Sequence, residues 1–250
     1  MRKKYIGSLF LLCAMLVFVS CNSEDNSSVF VDDGNLANLV ANNQIEIDNV
    51  IACASGSDED ANQIIAYVYP REGVRDIRFY ETENAEVDKD DYENYTQIDL
   101  PAEDFFNGYL KKFTRTTEEE KWIIISFFEG DVLQLSNPIR LKHKTIPTEF
   151  TDEVAIDSSV PSMPVFEWED GAVEENAIYF QVVSTDEEDF LSGTYTFERN
   201  FQYYVLDNVV LNITTELPPA LSAGVPYGFT LMGVSEDNWV NLFIQKSFIP

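Results

Sequence analysis

From Ile45 onward the chain is broken into short runs of β-branched and aromatic residues, separated by clusters of Gly, Asp, Asn, Ser and Pro. The first half carries "IEIDNVIACA" (45–54), "QIIAYVYP" (63–70), "RDIRFYETE" (75–83), "YTQIDL" (95–100), "GYLKKFTR" (108–115), "KWIIISFF" (121–128) and "NPIRLKHK" (137–144). The second carries "VFEWE" (165–169), "AIYFQVVST" (177–185), "TYTFERNFQYYVL" (194–206), "NVVLNITTE" (208–216), "YGFTLMGVS" (227–235) and "VNLFIQKSF" (240–248). Branching at Cβ favours extended backbone, and Gly, Asp and Asn tolerate the conformations that tight turns require. Strands recurring every ~8 to 12 residues with such punctuation predict an all-β sandwich architecture. One piece departs from the pattern: in "PAEDFFNG" (101–108), Pro followed by two acids predicts a helical turn.

The two halves echo one another. "IRFYETE…KDDYENYT" parallels "IYFQVVSTDEEDFLSGTYT", and "SFFEGDVLQLSNPIRLKHK" parallels "LMGVSEDNWVNLFIQKSF". A period of about 100 residues means tandem domains and not a solenoid of short repeats. Between them, "TIPTEFTDEVAIDSSVPSMP" has three prolines and no long apolar run. The expected organisation is a first sandwich over 45–146, a linker over 147–162 and a second sandwich over 163–250.

The second half resembles a fibronectin type III domain. "PVFEWE" is similar to its B strand with the core tryptophan, Trp168, and "LSAGVPYGFTLMGVSED" to its E–F corner. Leu221, Gly224 and Tyr227 stand at the family's Leu, Gly and Tyr spacing, with Ala223 where proline is usual. In the first half "FFEGDVLQLSNPIRLK" resembles the F–G hairpin, but "TRTTEEEK" fills the place of the corner. The resemblance implies two tandem Ig-like sandwiches, a Tyr227 hydroxyl that closes its corner onto backbone, and contacts made through end loops. The F–G loop is then "SEDNWVN", placing Trp239 beside Asp237 and Asn238 as candidate ligand contacts. In "FQYYVL", Phe201, Tyr203 and Val205 should share one face, leaving Tyr204 on the other as a further candidate.

The amino terminus supplies an address. "MRKKY" precedes an apolar run of 13 residues, Gly7 to Val19. Such a run spans about 20 Å as a helix, too short for a bilayer that requires ~20 residues, so 1–20 reads as a secretory signal. "FVSC" resembles the lipobox of bacterial lipoproteins, with Cys21 as the acylated residue, and "SEDN" after it resembles the export signal of Bacteroidota-type surface lipoproteins. These resemblances imply lipid anchoring in the outer membrane with the chain exposed at the cell surface. Residues 21–44, rich in Asn, Ser and Asp, read as a flexible acidic spacer.

Charge removes whole classes of partner. The formal net charge is −28, and three of the 16 Lys and Arg belong to the leader while all 44 Asp and Glu lie beyond it. Nucleic acid is bound through clustered cations, so it is excluded as a partner. Hydrophobic residues at 45% and aromatics at 13% argue against disorder despite that charge. The acidic loops 57–62, 88–94, 184–189 and 235–238 suit calcium by ligand type, yet none fits the EF-hand spacing and all read as solvated turns. No cofactor or metal is expected.

Catalytic constellations are lacking as well. The chain has one histidine, His143, and one cysteine beyond the anchor, Cys53, which sits in an apolar run. A nucleophilic site would have to be built from that pair, and zinc would find too few N/S ligands. Neither Gly-rich phosphate loop occurs. The sequence therefore reads as a non-catalytic binding, adhesion or spacer module whose partners are the membrane and a glycan or envelope protein. The alternatives are an accessory subunit of an outer-membrane uptake complex and, further off, a carboxylate-based hydrolase. Acylation at two or more chains makes a stable anchor, so Cys21→Ala should move the protein from the membrane pellet to the soluble fraction. Retention of the variant in the pellet would refute the assignment.

Overall fold

A computed structural model describes residues 33–250. Residues 1–32, where a signal peptide, the acylated Cys21 and most of a spacer are expected, lie outside the described residues. A short helix, α1 (Leu36–Ala41), leads into ten strands. They are β1 (Gln44–Val50), β2 (Ala52–Gly56), β3 (Gln63–Val68), β4 (Arg75–Glu81), β5 (Thr96–Ile98), β6 (Glu103–Phe105), β7 (Leu110–Thr116), β8 (Trp122–Glu129), β9 (Val132–Ser136) and β10 (Ile139–Arg140). Nine more follow: β11 (Glu149–Thr151), β12 (Ala155–Asp157), β13 (Val165–Glu167), β14 (Ile178–Thr185), β15 (Phe190–Thr196), β16 (Asn200–Gln202), β17 (Val209–Asn212), β18 (Tyr227–Val234) and β19 (Val240–Phe248).

Four sheets result. Sheet I has the order β1-β9-β8-β4-β5, with β10 also on β8, and sheet II the order β2-β3-β7-β6. Sheet III runs β11-β19-β18-β14-β15-β17 and sheet IV β12-β13-β16. Sheets I and II form the first sandwich, III and IV the second. The parallel pairing of β1 with β9 and of β11 with β19 against otherwise antiparallel neighbours is shared by both. The fold is all-β, two sandwiches each built from a pair of sheets. Tyr227 closes the corner as the resemblance implied: its hydroxyl accepts from the Ser222 N–H at 3.0 Å, Leu221 is buried and Gly224 has φ +79°.

Alternation along the central strands explains how the layers stack. In β8, Ile123, Ile125 and Phe127 face a core with Ile64, Ala66, Val68 and Phe113 of sheet II. Ile124 and Phe128 point the other way, with Tyr80, Leu133 and Leu135. Sheet II then uses its second face: Tyr67 and Leu110 pack with Phe180, Val182, Met232 and Phe243 of sheet III. Sheet III likewise turns Tyr179, Val183, Phe229 and Leu231 toward Phe166 and Phe201 of sheet IV. The order is α1, I, II, III, IV, with apolar contact in every gap and both sandwiches in one compact unit.

Several expectations are corrected. Residues 33–44 are not free spacer: Asn35 caps α1 by accepting from the Ala37 N–H at 2.9 Å, and Leu36 and Leu39 are buried against Tyr80 and Tyr95. The segment expected as a linker, 147–162, holds β11 and β12, because its short polar-flanked runs need only backbone pairing with β19 and β13. The run 45–54 divides at Ile51, with β1 on sheet I and β2 on sheet II. Residues 101–108 give strand β6 and a turn with Phe106, Asn107 and Gly108 all at positive φ, where burial of Phe106 outweighs the Pro-acid helix signal. The run 194–206 breaks at Phe197–Arg199 into β15 and β16, which lie in different sheets.

Shared cores should make unfolding cooperative. Calorimetry of the folded part is expected to give one transition, and two resolved transitions would contradict the stacked arrangement.

Candidate functional site

The F–G loop of the second sandwich turns inward. It is closed by Ser235 N–H to the Trp239 carbonyl at 2.8 Å, by Asn238 N–H to the Ser235 carbonyl at 3.0 Å and by Asn238 at φ +61°. Trp239 has no solvent exposure and lies in the core of the first sandwich with Ala54, Ile64, Val68, Ile139 and Leu141. Its Nε1 donates to the Ile146 carbonyl at 2.8 Å. Backbone follows the ring: Ala54 N–H donates to the Asn238 carbonyl at 3.1 Å and Arg140 N–H to the Asp237 carbonyl at 3.0 Å. Asp237 itself accepts from Ser235 Oγ and pairs with Lys142 Nζ, both at 2.6 Å. Trp239, Asn238 and Asp237 therefore join the two sandwiches, which corrects their assignment as external ligand contacts. An indole finds more apolar surface between two sheets than on a loop in water.

Tyr204 stands where the sequence put it, opposite buried Phe201 and Tyr203. It is 38% exposed and at φ +75°, while Tyr203 beside it anchors the segment by donating to the Pro219 carbonyl at 2.7 Å. With Leu206 (53% exposed) and Leu217 (78%) it borders a groove of about 270 Å³ that also touches Phe201, Thr215 and Pro218. Alternation placed Tyr204, but it held no signal for the concavity, which also takes in Leu217 and Pro218 beyond the strand run 208–216.

A second concavity, about 220 Å³, opens between sheets II and III and is lined by Ile51, Cys53, Tyr69, Phe180, Tyr195 and Leu211 among others. The Cys53 thiol lies 3.9 Å from Met232 Sδ, and burial pushes its pKa up to about 12, so it is a poor nucleophile. His143 is elsewhere: its Nε2 contacts the Thr117 carbonyl at 3.1 Å. The structure does not bring the two together as a dyad. Among the described residues no three of His, Cys, Asp and Glu converge on a metal position. The acidic loops cap themselves, as where Asp88 and Asp91 accept from the N–H groups of Asp90 and Glu93, each at 3.0 Å.

Buried ion pairs serve the frame. Glu81 accepts from Arg115 at 2.9 and 3.0 Å and from Lys121 at 2.7 Å. Burial alone raises its carboxyl, but these donors outweigh it and hold it below the usual range. Glu120 binds the N–H groups of Lys144 and Thr145 at 3.0 and 2.8 Å, fixing the stretch that leads to the second sandwich. "TRTTEEEK", which fills the place of the missing corner, thus supplies the crossing with its anchor.

No protein-family model matches the chain, and no curated protein matches it. Among solved structures, it is similar to the crystal structure of chicken CNTN1 FN1-FN3 domains, at 9% identity and a TM-score of 0.29. That likeness covers 83% of this chain and 69% of the other.

His143 generates a pH dependence. Burial lowers its pKa from the ordinary 6.5, against a smaller opposing pull from the Thr117 carbonyl, and its buried Nδ1 has no partner among the described residues. The neutral ring is therefore the folded form. Its contribution is complete above pH 6.5 and declines as pH falls through the lowered folded value. Chemical denaturation between pH 6.5 and the carboxylate range near 4.5 should show falling stability, flattened by His143→Gln. An unchanged profile in the variant would remove His143 from the account.

Proposed function

We propose that the chain is a non-catalytic binding module, tethered to the outer membrane by acyl chains on Cys21, that holds an envelope protein at the Tyr204 groove. The observation that carries this is the exposure of Tyr204, Leu206 and Leu217 around one concavity, at 38, 53 and 78%. Every inner sheet face of the stack is covered, so apolar side chains left out together mark a contact surface. Aliphatic side chains around a single phenol suit a protein partner better than a sugar, which stacks on broad aromatic faces. Asp207 and Glu216 flank the groove in sequence, and both are exposed. An apolar segment with basic neighbours is the complementary ligand.

This favours the accessory-subunit reading of the module, in which the partner is a protein of an outer-membrane uptake complex. Catalysis is not part of the proposal, because Cys53 stays protonated and His143 is tied to backbone.

The test is a photoreactive amino acid at position 217, irradiated on intact cells. One discrete adduct is expected, lost when Leu206→Asp is added, while the melting temperature of L206D stays within about 2 °C because the residue is exposed. Absence of any adduct, or one indifferent to L206D, would overturn the proposal.

A further inference from the structure

The crevice between sheets II and III is separate from the Tyr204 groove and has its own chemistry. Its floor and walls are Ile51, Tyr69, Phe180 and Leu211, with Cys53 inside. Tyr195, on β15, stacks on Phe180 at 4.5 Å and 18°. Among the described residues no protein group pairs with its hydroxyl, although burial and the neighbouring Cys53 hold it protonated, with a pKa well above 10.0. Tyr195 is half-buried, so water reaches this phenol O–H in the open crevice, and the acceptor of a ligand can take that water's place.

The lining contains no Lys, Arg or His, and Asp48 belongs to it. An anion would meet repulsion there and no compensating cation. The volume, about 220 Å³, exceeds the engineered apolar cavity of about 150 Å³ that admits benzene. One substituted ring fits.

From this geometry we infer that the crevice is a binding site for a small neutral molecule with an apolar ring and one hydrogen-bond acceptor, the acceptor taking the Tyr195 hydroxyl. The aromatic pair Phe180–Tyr195 supplies the stacking face and Ile51 and Leu211 the aliphatic wall. The thiol of Cys53 adds polarizable contact without ionising. Such a ligand would touch both sandwiches at once, since Ile51 and Cys53 belong to the first and Phe180, Tyr195 and Leu211 to the second.

Three fluorinated probes of one size test it on the full chain in detergent: 4-fluoroacetophenone, 4-fluorotoluene and 4-fluorobenzoate, followed by ¹⁹F line broadening. The ketone is expected to bind most tightly, the toluene more weakly, and the benzoate not at all. Tyr195→Phe should weaken the ketone about tenfold and leave the toluene unchanged, with the melting temperature retained because the hydroxyl has no protein partner. Leu211→Trp, at an exposed rim residue, should block both neutral probes. No broadening by the ketone, equal affinity of ketone and toluene, indifference to Y195F, or ketone binding that survives L211W would each overturn the site.

Discussion

Burial of the inner sheets on both faces is the constraint on which the rest of the structure depends. Sheets II and III each contribute apolar side chains to two gaps, and the gap between them holds Tyr67, Leu110, Phe180, Met232 and Phe243. Neither sandwich can be peeled away without exposing that layer. Trp239 adds a cross-link of side chain and backbone, because its ring belongs to the first core while the strand that it leads into, β19, belongs to the second sheet stack. Burying a side chain of this size is worth about 4 kcal/mol at ~25 cal per Å². That is comparable with a large share of a domain's net stability.

Much of the fold was legible because strand periodicity and turn chemistry agree. The clearest residues are in "KWIIISFF", "QIIAYVYP" and "AIYFQVVST", where both alternating sets are apolar. A sandwich strand with one wet face would show polar residues at every second position, so such runs already signal two buried faces. Read that way, they require further layers beyond each sandwich. Linker and spacer were misread for the same physical reason. Residues 147–162 and 33–44 form elements of three to six residues whose stability comes from partners far away in sequence, which local composition cannot report. The Tyr204 side was legible from alternation alone. The inward turn of Trp239 was not, since its acceptor, the Ile146 carbonyl, lies 93 residues earlier.

Several polar side chains tie the crossing between the sandwiches to backbone. Thr148 donates its hydroxyl to the Val240 carbonyl at 2.8 Å and accepts from the Gly56 N–H at 2.8 Å. It thereby links sheet II to β19 through a single side chain. Tyr109 is stacked on Phe190 at 3.6 Å and donates to the Ile213 carbonyl at 2.5 Å. Buried donors and acceptors left unpaired cost more than paired ones gain, so this pairing fixes the register in which the two sandwiches meet. The apolar gap supplies the affinity between them and the polar ties supply its uniqueness.

Scarce cations sharpen the surface that remains. Only 16 Lys and Arg face 44 acids, and several of the cations are held internally. Arg115 and Lys121 neutralise Glu81, Arg140 pairs with Glu120, Lys142 with Asp237 and Arg71 with Glu129. The outward field is correspondingly anionic, reaching about 8 Å into physiological salt. Anionic lipid and acidic proteins are repelled at that range, while the partners that approach freely are neutral or basic. Frame and selectivity thus draw on the same few positive charges: pairing them tightens the stack, and their scarcity outside filters what can reach the apolar concavities.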